Sequence, residues 1–209
     1  MVEHLRVPSA RHLELLERAY EYALEHGLGD LSLRPLAAGI GSSPRVLLFL
    51  FGSKEELVRA LLARARADEL ALLQRAPENE GFSDLPTLVR TTWEWLVAEQ
   101  HRPLLTLWLE AYARSLVEPN GPWSDFARDT VDDWLEVLAA ARTSRPRGRE
   151  PAAHDRTLAL AVLRGALLDL LATGDVERTT AAVQRHLDLV ARESPAGDHG
   201  RKSSIPKVR

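Results

Sequence analysis

The chain has seven histidines (His4, His12, His26, His101, His154, His186 and His199). No two stand in a His-x-x-x-His or Glu-x-x-His relation that would put metal ligands on one helix face. Asp132 and Asp133 are adjacent, so they do not place two carboxylates on one helix face for acid–base work. There is no Gly-rich phosphate loop, nucleophile elbow or zinc signature, and no cysteine to supply a thiolate or a disulfide. Catalysis is therefore not the expected chemistry, and no metal or cofactor is expected. What remains is binding chemistry in two places: hydroxyl and cationic donors at Ser32, Arg34, Ser42, Ser43, Arg45 and Lys54, and aromatics between Trp93 and Trp134.

Lys54 follows Ser53, which with Glu56 forms a capping box opening a helix. A cation beside unpaired helix N–H groups opposes the helix dipole, so its presence wants a reason, and a phosphate supplies one. Arg45, Leu48 and Phe49 are three and four residues apart and share one helix face, with Leu47, Leu50 and Phe51 turned to the core. Arg45 is suited to paired bonds with guanine O6 and N7, and Leu48 or Phe49 to contact with thymine methyls. Arg11 and His12 are further candidates for backbone contact.

All five tryptophans (Trp93, Trp95, Trp108, Trp123, Trp134) lie between residues 93 and 134, with Tyr112 and Phe126 among them. Aromatics at helical spacing serve a core, but in a helical bundle they also line ligand cavities together with a few polar groups. The expected wall is Trp93, Leu96, His101, Leu104, Trp108, Tyr112 and Trp134, with His101 or Glu110 orienting a polar group of a largely apolar small molecule.

Helices must position both groups. Ala, Leu, Glu and Arg dominate the composition, alternating β-branched runs are absent, and the expected class is all-α. A first helix over about 9–26 stops at Gly27; Ser32 caps a short second one broken at Gly39-Ile40-Gly41. Ser43 and Pro44 open a third that ends at Gly52, and a fourth runs from Ser53 to about Arg75. Two short helices across a glycine turn, buttressed by a longer one, form a tri-helical DNA-binding arrangement. Further helices are expected at roughly 83–100, 102–116, 123–142, 154–173 and 176–193. Loops are expected around Pro77–Gly81 and from Thr143 to Ala153, with a disordered tail from Ser194. The domains would be 1–53 for DNA, 54–81 as linking helix and loop, and 82–193 for ligand and dimer contacts, followed by the tail 194–209.

Net charge is −3, which excludes nucleic-acid binding by bulk positive charge. Residues 1–66 hold nine Lys and Arg against eight Asp and Glu, so individual cations must do the work. The N-terminus lacks a signal-peptide core and no apolar run is long enough to span a bilayer, so a cytoplasmic location without membrane contact is expected.

Residues 11–62 resemble the DNA-binding domain of the TetR family of transcriptional regulators. The resemblance rests on Ala23-Leu24-Glu25-His26-Gly27, Ser32-Leu33-Arg34-Pro35-Leu36-Ala37, Gly41-Ser42-Ser43 and above all Phe51-Gly52-Ser53-Lys54-Glu55-Glu56-Leu57. It implies a helix-turn-helix followed by a helical bundle that dimerises, and a DNA-binding repressor released from its operator by a small molecule. It also implies backbone contacts from Arg34, Ser42, Ser43 and Lys54, and base-side positions at Arg45, Val46, Leu48 and Phe49. The sequence departs from the family where a tyrosine is usual (Leu48) and where glycine and threonine are usual (Arg45, Val46). Neither Leu48 nor Phe49 can give a phosphate the hydroxyl that such a tyrosine supplies. The alternative is a helical sensor or adaptor with weak or no DNA binding. The helices near 123–142 and 154–173 resemble the family's dimerisation pair, with Leu163, Ala166, Leu167 and Leu170 as the expected contact residues of a homodimer.

Overall fold

Helix boundaries fall where the sequence supplies caps. In the computed structural model, which describes residues 9–75, 84–118, 120–139 and 151–193, regular structure is helical throughout. Helix α1 (Ala10–His26) begins where Ser9 Oγ accepts the His12 N–H at 3.2 Å and ends at Gly27, φ +77°. Helix α2 (Leu33–Gly39) is followed by a turn through Gly41, φ +64°, and α3 (Pro44–Phe51) opens with Ser43 Oγ accepting the Val46 N–H at 3.3 Å. Helix α4 (Lys54–Arg75) begins where Ser53 Oγ accepts the Glu56 N–H at 3.0 Å. The Glu56 carboxylate turns to Arg59. Ser32 holds the capping position of α2, but its side chain makes no capping bond; only its carbonyl takes the Leu36 N–H.

Beyond the fourth helix come α5 (Leu85–Leu96), a short 3₁₀ turn (Glu99–His101), α6 (Arg102–Val117), α7 (Phe126–Ala139), α8 (Ala153–Thr173) and α9 (Val176–Glu193). Two expected helices are shorter than their apolar patterns. Helix α5 stops at Leu96 because the His101 ring takes the Trp95 carbonyl at 2.8 Å, an acceptor that a continuing helix would have used itself. Helix α7 starts at Phe126 because Asp125 has φ +65°, outside the helical region. The loop after α4, most of the loop at 143–153 and the tail from Ser194 lie outside the described residues.

Helix α1 packs on α2, α4 and α6; α4 also meets α3 and α7; and α8 lies among α5, α7 and α9. One continuous apolar core runs from Leu15 in α1 to Leu187 in α9. Polar bonds reinforce the joints. Tyr20 donates to Asp68 Oδ2 at 3.0 Å and Arg64 to Glu17 at 2.8 Å, tying α1 to α4. Arg66 reaches Asp129 at 2.6 Å and also pairs with Asp133, tying α4 to α7.

Helix α8 corrects the expected dimer face. Leu163, Leu167 and Leu170 are 0%, 3% and 5% exposed, turned inward within a single chain, and Ala166 is half-buried against them. The exposed face instead carries Leu158, Ala161, Gly165, Leu168 and Ala172, at spacings of three and four. The apolar sequence supports either face, and the neighbouring helices decide which one is covered. Accordingly, Leu163→Ala should lower the unfolding free energy by about 3 kcal/mol in urea melts, the cost of a cavity at a fully packed leucine.

Candidate nucleic-acid interface and effector pocket

The cations of the N-terminal helices divide into two sets. Arg11 and Arg18 pair with Glu14, Arg59 with Glu56, Arg64 with Glu17, and Arg66 with Asp129 and Asp133. Arg34, Arg45 and Lys54 are exposed and form no ion pair with a described residue. Each occupies the first turn of its helix: Arg34 in α2, Arg45 in α3 and Lys54 in α4. There the helix's own unpaired N–H groups already carry partial positive charge, so cation and helix end repel each other but both attract an anion.

Helix α3 presents Arg45, Val46, Leu48 and Phe49 to solvent, while Leu47 and Phe51 are buried and Leu50 is half-buried. Phe49 is 85% exposed, an unusual position for a phenyl ring on a small helix. Ser43 is half-buried with its hydroxyl engaged as a cap, and the expectation for Ser42 is corrected: its hydroxyl is buried and its amide donates to the Ala37 carbonyl at 2.8 Å, so it offers a phosphate no donor. Neither further backbone candidate in α1 is free: Arg11 is ion-paired, and His12 packs on Phe51 with ring centroids 4.5 Å apart.

The expected effector wall is distributed over three places. Leu96, Trp108 and Trp134 line an inner pocket together with Glu69, Leu105, Leu163, Arg164 and Leu167. The space between these side chains is too narrow to hold a water molecule. His101 and Leu104 instead line an open cleft of about 560 Å³, opposite Glu21, Leu24, Glu25 and Asp68. His101 is stacked on Trp95 with centroids 4.2 Å apart. Trp93 is buried with its indole N–H donating to Thr180 Oγ1 at 2.9 Å, so it serves the α5–α9 joint. Tyr112 sits beside the inner pocket, its hydroxyl accepting from Arg164 Nη1 at 3.3 Å.

Glu110 lines neither the inner pocket nor the cleft. Its carboxylate accepts the Leu28 N–H at 2.9 Å, and a Cβ built on Gly29 would collide with Glu110 and Arg114. The Gly27-Leu28-Gly29 turn after α1 is thus seated on α6 so closely that a side chain at Gly29 would force both groups to shift.

Two inner-pocket groups carry charge and were not among the expected residues. Glu69 continues the buried stripe Val58, Leu61, Leu62 and Ala65 of α4, at helical spacing. It is 4% exposed and accepts the Trp134 indole N–H at 2.7 Å. Burial pushes its carboxyl up to about 7, against the opposing pull of the Trp134 bond and the Arg164 charge. Arg164 interrupts an apolar run in α8, and its guanidinium lies 5.5 Å from the Trp108 ring centroid and 5.1 Å from that of Tyr112. Burial pulls Arg164 below its ordinary value. The signal for both in the sequence is a charge set into an apolar stripe.

Residues 15–61 match the model of the family described as bacterial regulatory proteins, tetR family. No curated protein matches the chain in sequence. Similar solved structures include a TetR transcription regulator from Haloarcula marismortui (19% identity, 87% of this chain and 97% of that one, TM-score 0.63). A transcriptional regulator from Rhodococcus sp. RHA1 matches at 19% identity over 87% of this chain and 96% of that one, with TM-score 0.66. The multidrug binding protein EbrR, complexed with imidazole, matches at 23% identity over 88% of this chain and 96% of that one, with TM-score 0.62. The resemblance seen in the sequence therefore holds for the N-terminal helices, and the fold of such regulators extends along the described chain.

Burial of Glu69 has a consequence for stability. Its folded value lies above the ordinary 4.5, so the folded state keeps a proton that the unfolded chain releases, and stability falls as pH rises from about 4.5 to 7. Glu69→Gln removes this contribution. Urea melts at pH 4.5 and pH 8 should show the variant gaining on the wild type at the higher pH by on the order of 3 kcal/mol.

Proposed function

We propose that this TetR-type chain is a ligand-responsive regulator that binds a double-stranded DNA operator as a homodimer and leaves it when a small molecule enters the inner pocket. The observation that carries this reading is the set of three cations, Arg34, Arg45 and Lys54, at the first turns of α2, α3 and α4, with no ion pair among the described residues. Placement compensates for the nearly neutral charge of the N-terminal helices, since each neutralised phosphate contributes separately to binding. In this reading Arg34, Lys54 and the Ser43 amide fix the register on the backbone, whereas Arg45, Val46, Leu48 and Phe49 face base edges; Ser42 takes no part, its hydroxyl being buried and its amide bonded to the Ala37 carbonyl. The exposed Phe49 favours this over the adaptor reading, because groove contact gives an otherwise solvated phenyl ring a partner.

Twofold pairing is proposed through the exposed stripe of α8 (Leu158, Ala161, Gly165, Leu168, Ala172), flanked by Leu189 of α9. No described atom stands within 4 Å of a Cβ built on Gly165, which leaves room there for a second backbone. A symmetric pair would set two α3 helices about 34–36 Å apart, one DNA turn, or a multiple of it.

Release follows from two helices that belong to both halves. Helix α4 carries Lys54 at one end and Glu69 fifteen residues on, about 22 Å along its axis. Helix α6 carries Leu105 and Trp108 in the pocket wall and Glu110 on the Leu28 amide. Because the pocket is closed to water-sized groups, an effector must part these helices, and it shifts the equilibrium by its preference for the parted state. The fold of EbrR, whose structures hold imidazole or proflavin, supports a small-molecule site within such a bundle. The reading places the regulator in the cytoplasm, and among the described residues no helix is long and apolar enough to cross a membrane.

The test is operator selection with the purified protein, followed by salt-dependent binding of variants. Lys54→Ala should weaken all sequences alike. It should also reduce the slope of log K against log salt by about 0.9 for each phosphate no longer neutralised, doubled for two subunits. Arg45→Ala should relax preference at one position of each half-site by about 1–3 kcal/mol. Wild-type binding by both variants would remove the DNA reading.

Sedimentation provides a separate check on pairing. Leu168→Glu should convert a dimer into monomers while leaving helicity intact, since Leu168 is 46% exposed in the single chain. An unchanged dimer would place the interface elsewhere.

A further inference from the structure

The inner pocket contains more hydrogen-bond donors than acceptors. Arg164 uses Nη1 on the Tyr112 hydroxyl, but its Nε and Nη2 are buried without a partner, and the Trp108 indole nitrogen is buried without one as well. Trp108 itself is 5% exposed. A buried donor left unpaired costs about 1–3 kcal/mol, more when charged, so three in one pocket are not explained by folding alone.

Their arrangement is specific. Nε and Nη2 are the two nitrogens whose N–H bonds run parallel along one edge of the guanidinium, the edge that meets both oxygens of a carboxylate at once. The other wall groups are apolar or aromatic: Leu96, Leu105, Trp108, Trp134, Leu163 and Leu167. We infer that the effector is an organic acid, a carboxylate on a flat apolar body, held by the Nε–Nη2 edge of Arg164 and the Trp108 N–H with its body against Trp134 and the leucines. This rests on the reading of the inner pocket as the effector site.

The remaining charge in the pocket is consistent with an anion. Glu69 is the carboxylate a cationic effector would need, yet it is occupied by Trp134 and its burial disfavours the charged form. Arg66 pairs with Asp129 and Asp133 across the α4–α7 joint, and its charge and that of Asp133 act on Glu69 in opposite senses. Arg164 is only half-buried as a whole residue, which leaves a route for a charged head group to reach it as α6 moves.

The experiment is calorimetry on the full chain with three probes of one shape: 2-naphthoate, 2-naphthamide and 2-naphthylmethylammonium. The carboxylate should bind at least about tenfold tighter than the amide, as expected for a charge-assisted pair, and the ammonium should bind weakest. Arg164→Gln should abolish the preference of carboxylate over amide. Trp108→Phe, which keeps the ring and removes the N–H, should weaken 2-naphthoate by roughly fivefold and change the amide less, and it serves even if the Arg164 variant fails to fold. Tightest binding of the ammonium, absence of binding by all three probes, or an unchanged carboxylate preference in a folded Arg164→Gln or in Trp108→Phe would overturn the inference. Operator binding by the ligand-free wild type is measured alongside. Its loss would sink the regulator reading and leave the probe selectivity standing.

Discussion

Helix α4 must satisfy two environments along one rigid rod. Its first turn, at Ser53 and Lys54, is solvated and capped, and its middle buries Leu57, Leu61 and Leu62 against the N-terminal helices. Further on it holds Arg66 against α7 and Glu69 under Trp134. A straight helix transmits displacement along its length because its hydrogen bonds leave no soft joint, and no proline or glycine interrupts residues 54–75. On the proposed reading, the bonds that fix its far half are the ones an effector would disturb. Tyr20, Arg64 and Glu17 hold the near half to α1, so the N-terminal helices would travel with it.

Helix α6 adds a second attachment at a different point. The Glu110 carboxylate on the Leu28 amide lies one helical turn or less from Trp108 in the pocket wall. On the proposed reading, two attachments to one pocket, through α4 and through the glycine turn after α1, would favour a rotation of the N-terminal helices over a simple translation. A single hinge would leave that direction loose.

The parts of the fold legible in the sequence were those decided within a few residues. Ser43 and Ser53 accept from N–H groups three residues on, and Gly27 and Gly52 take up positive φ, so these helix ends follow from local chemistry, whereas Ser32 makes no capping bond and the caps at Ser9 and Asp84 were not singled out. The outward set Arg45, Val46, Leu48 and Phe49 was legible for the same reason: α3 is short, and its inward residues Leu47 and Phe51 are covered by α1, α2 and α4 on one side only. Helix α8 was not legible, because Leu158 and Leu168 on one side and Leu163 and Leu167 on the other are equally apolar, and only α5, α7 and α9 choose between them. Tryptophan placement was legible only in part: Trp108 and Trp134 line the inner pocket, whereas Trp93, indistinguishable from them in sequence, serves Thr180 at the α5–α9 joint. Glu69 and Arg164 carried a signal, each a charge in an apolar stripe, that a search for aromatic walls passed over.

That pair also bears on why a sensor core tolerates groups a purely structural core would avoid. Replacing buried ionic groups by apolar ones of similar volume is often neutral or stabilising, so Glu69 and Arg164 are poor choices if packing were the only requirement. Their burial raises the free energy of the closed state, in Glu69 by disfavouring its charge and in Arg164 by leaving two N–H groups unmatched. On the proposed reading, a ligand that supplied the missing acceptors would lower the free energy of the parted state and not of the closed one. The difference between those two affinities is the whole of the signal available for release, and it is larger the worse the donors fare when the pocket is shut. Poor satisfaction in the closed pocket and sensitivity to an effector are then one physical property, located in the same few side chains.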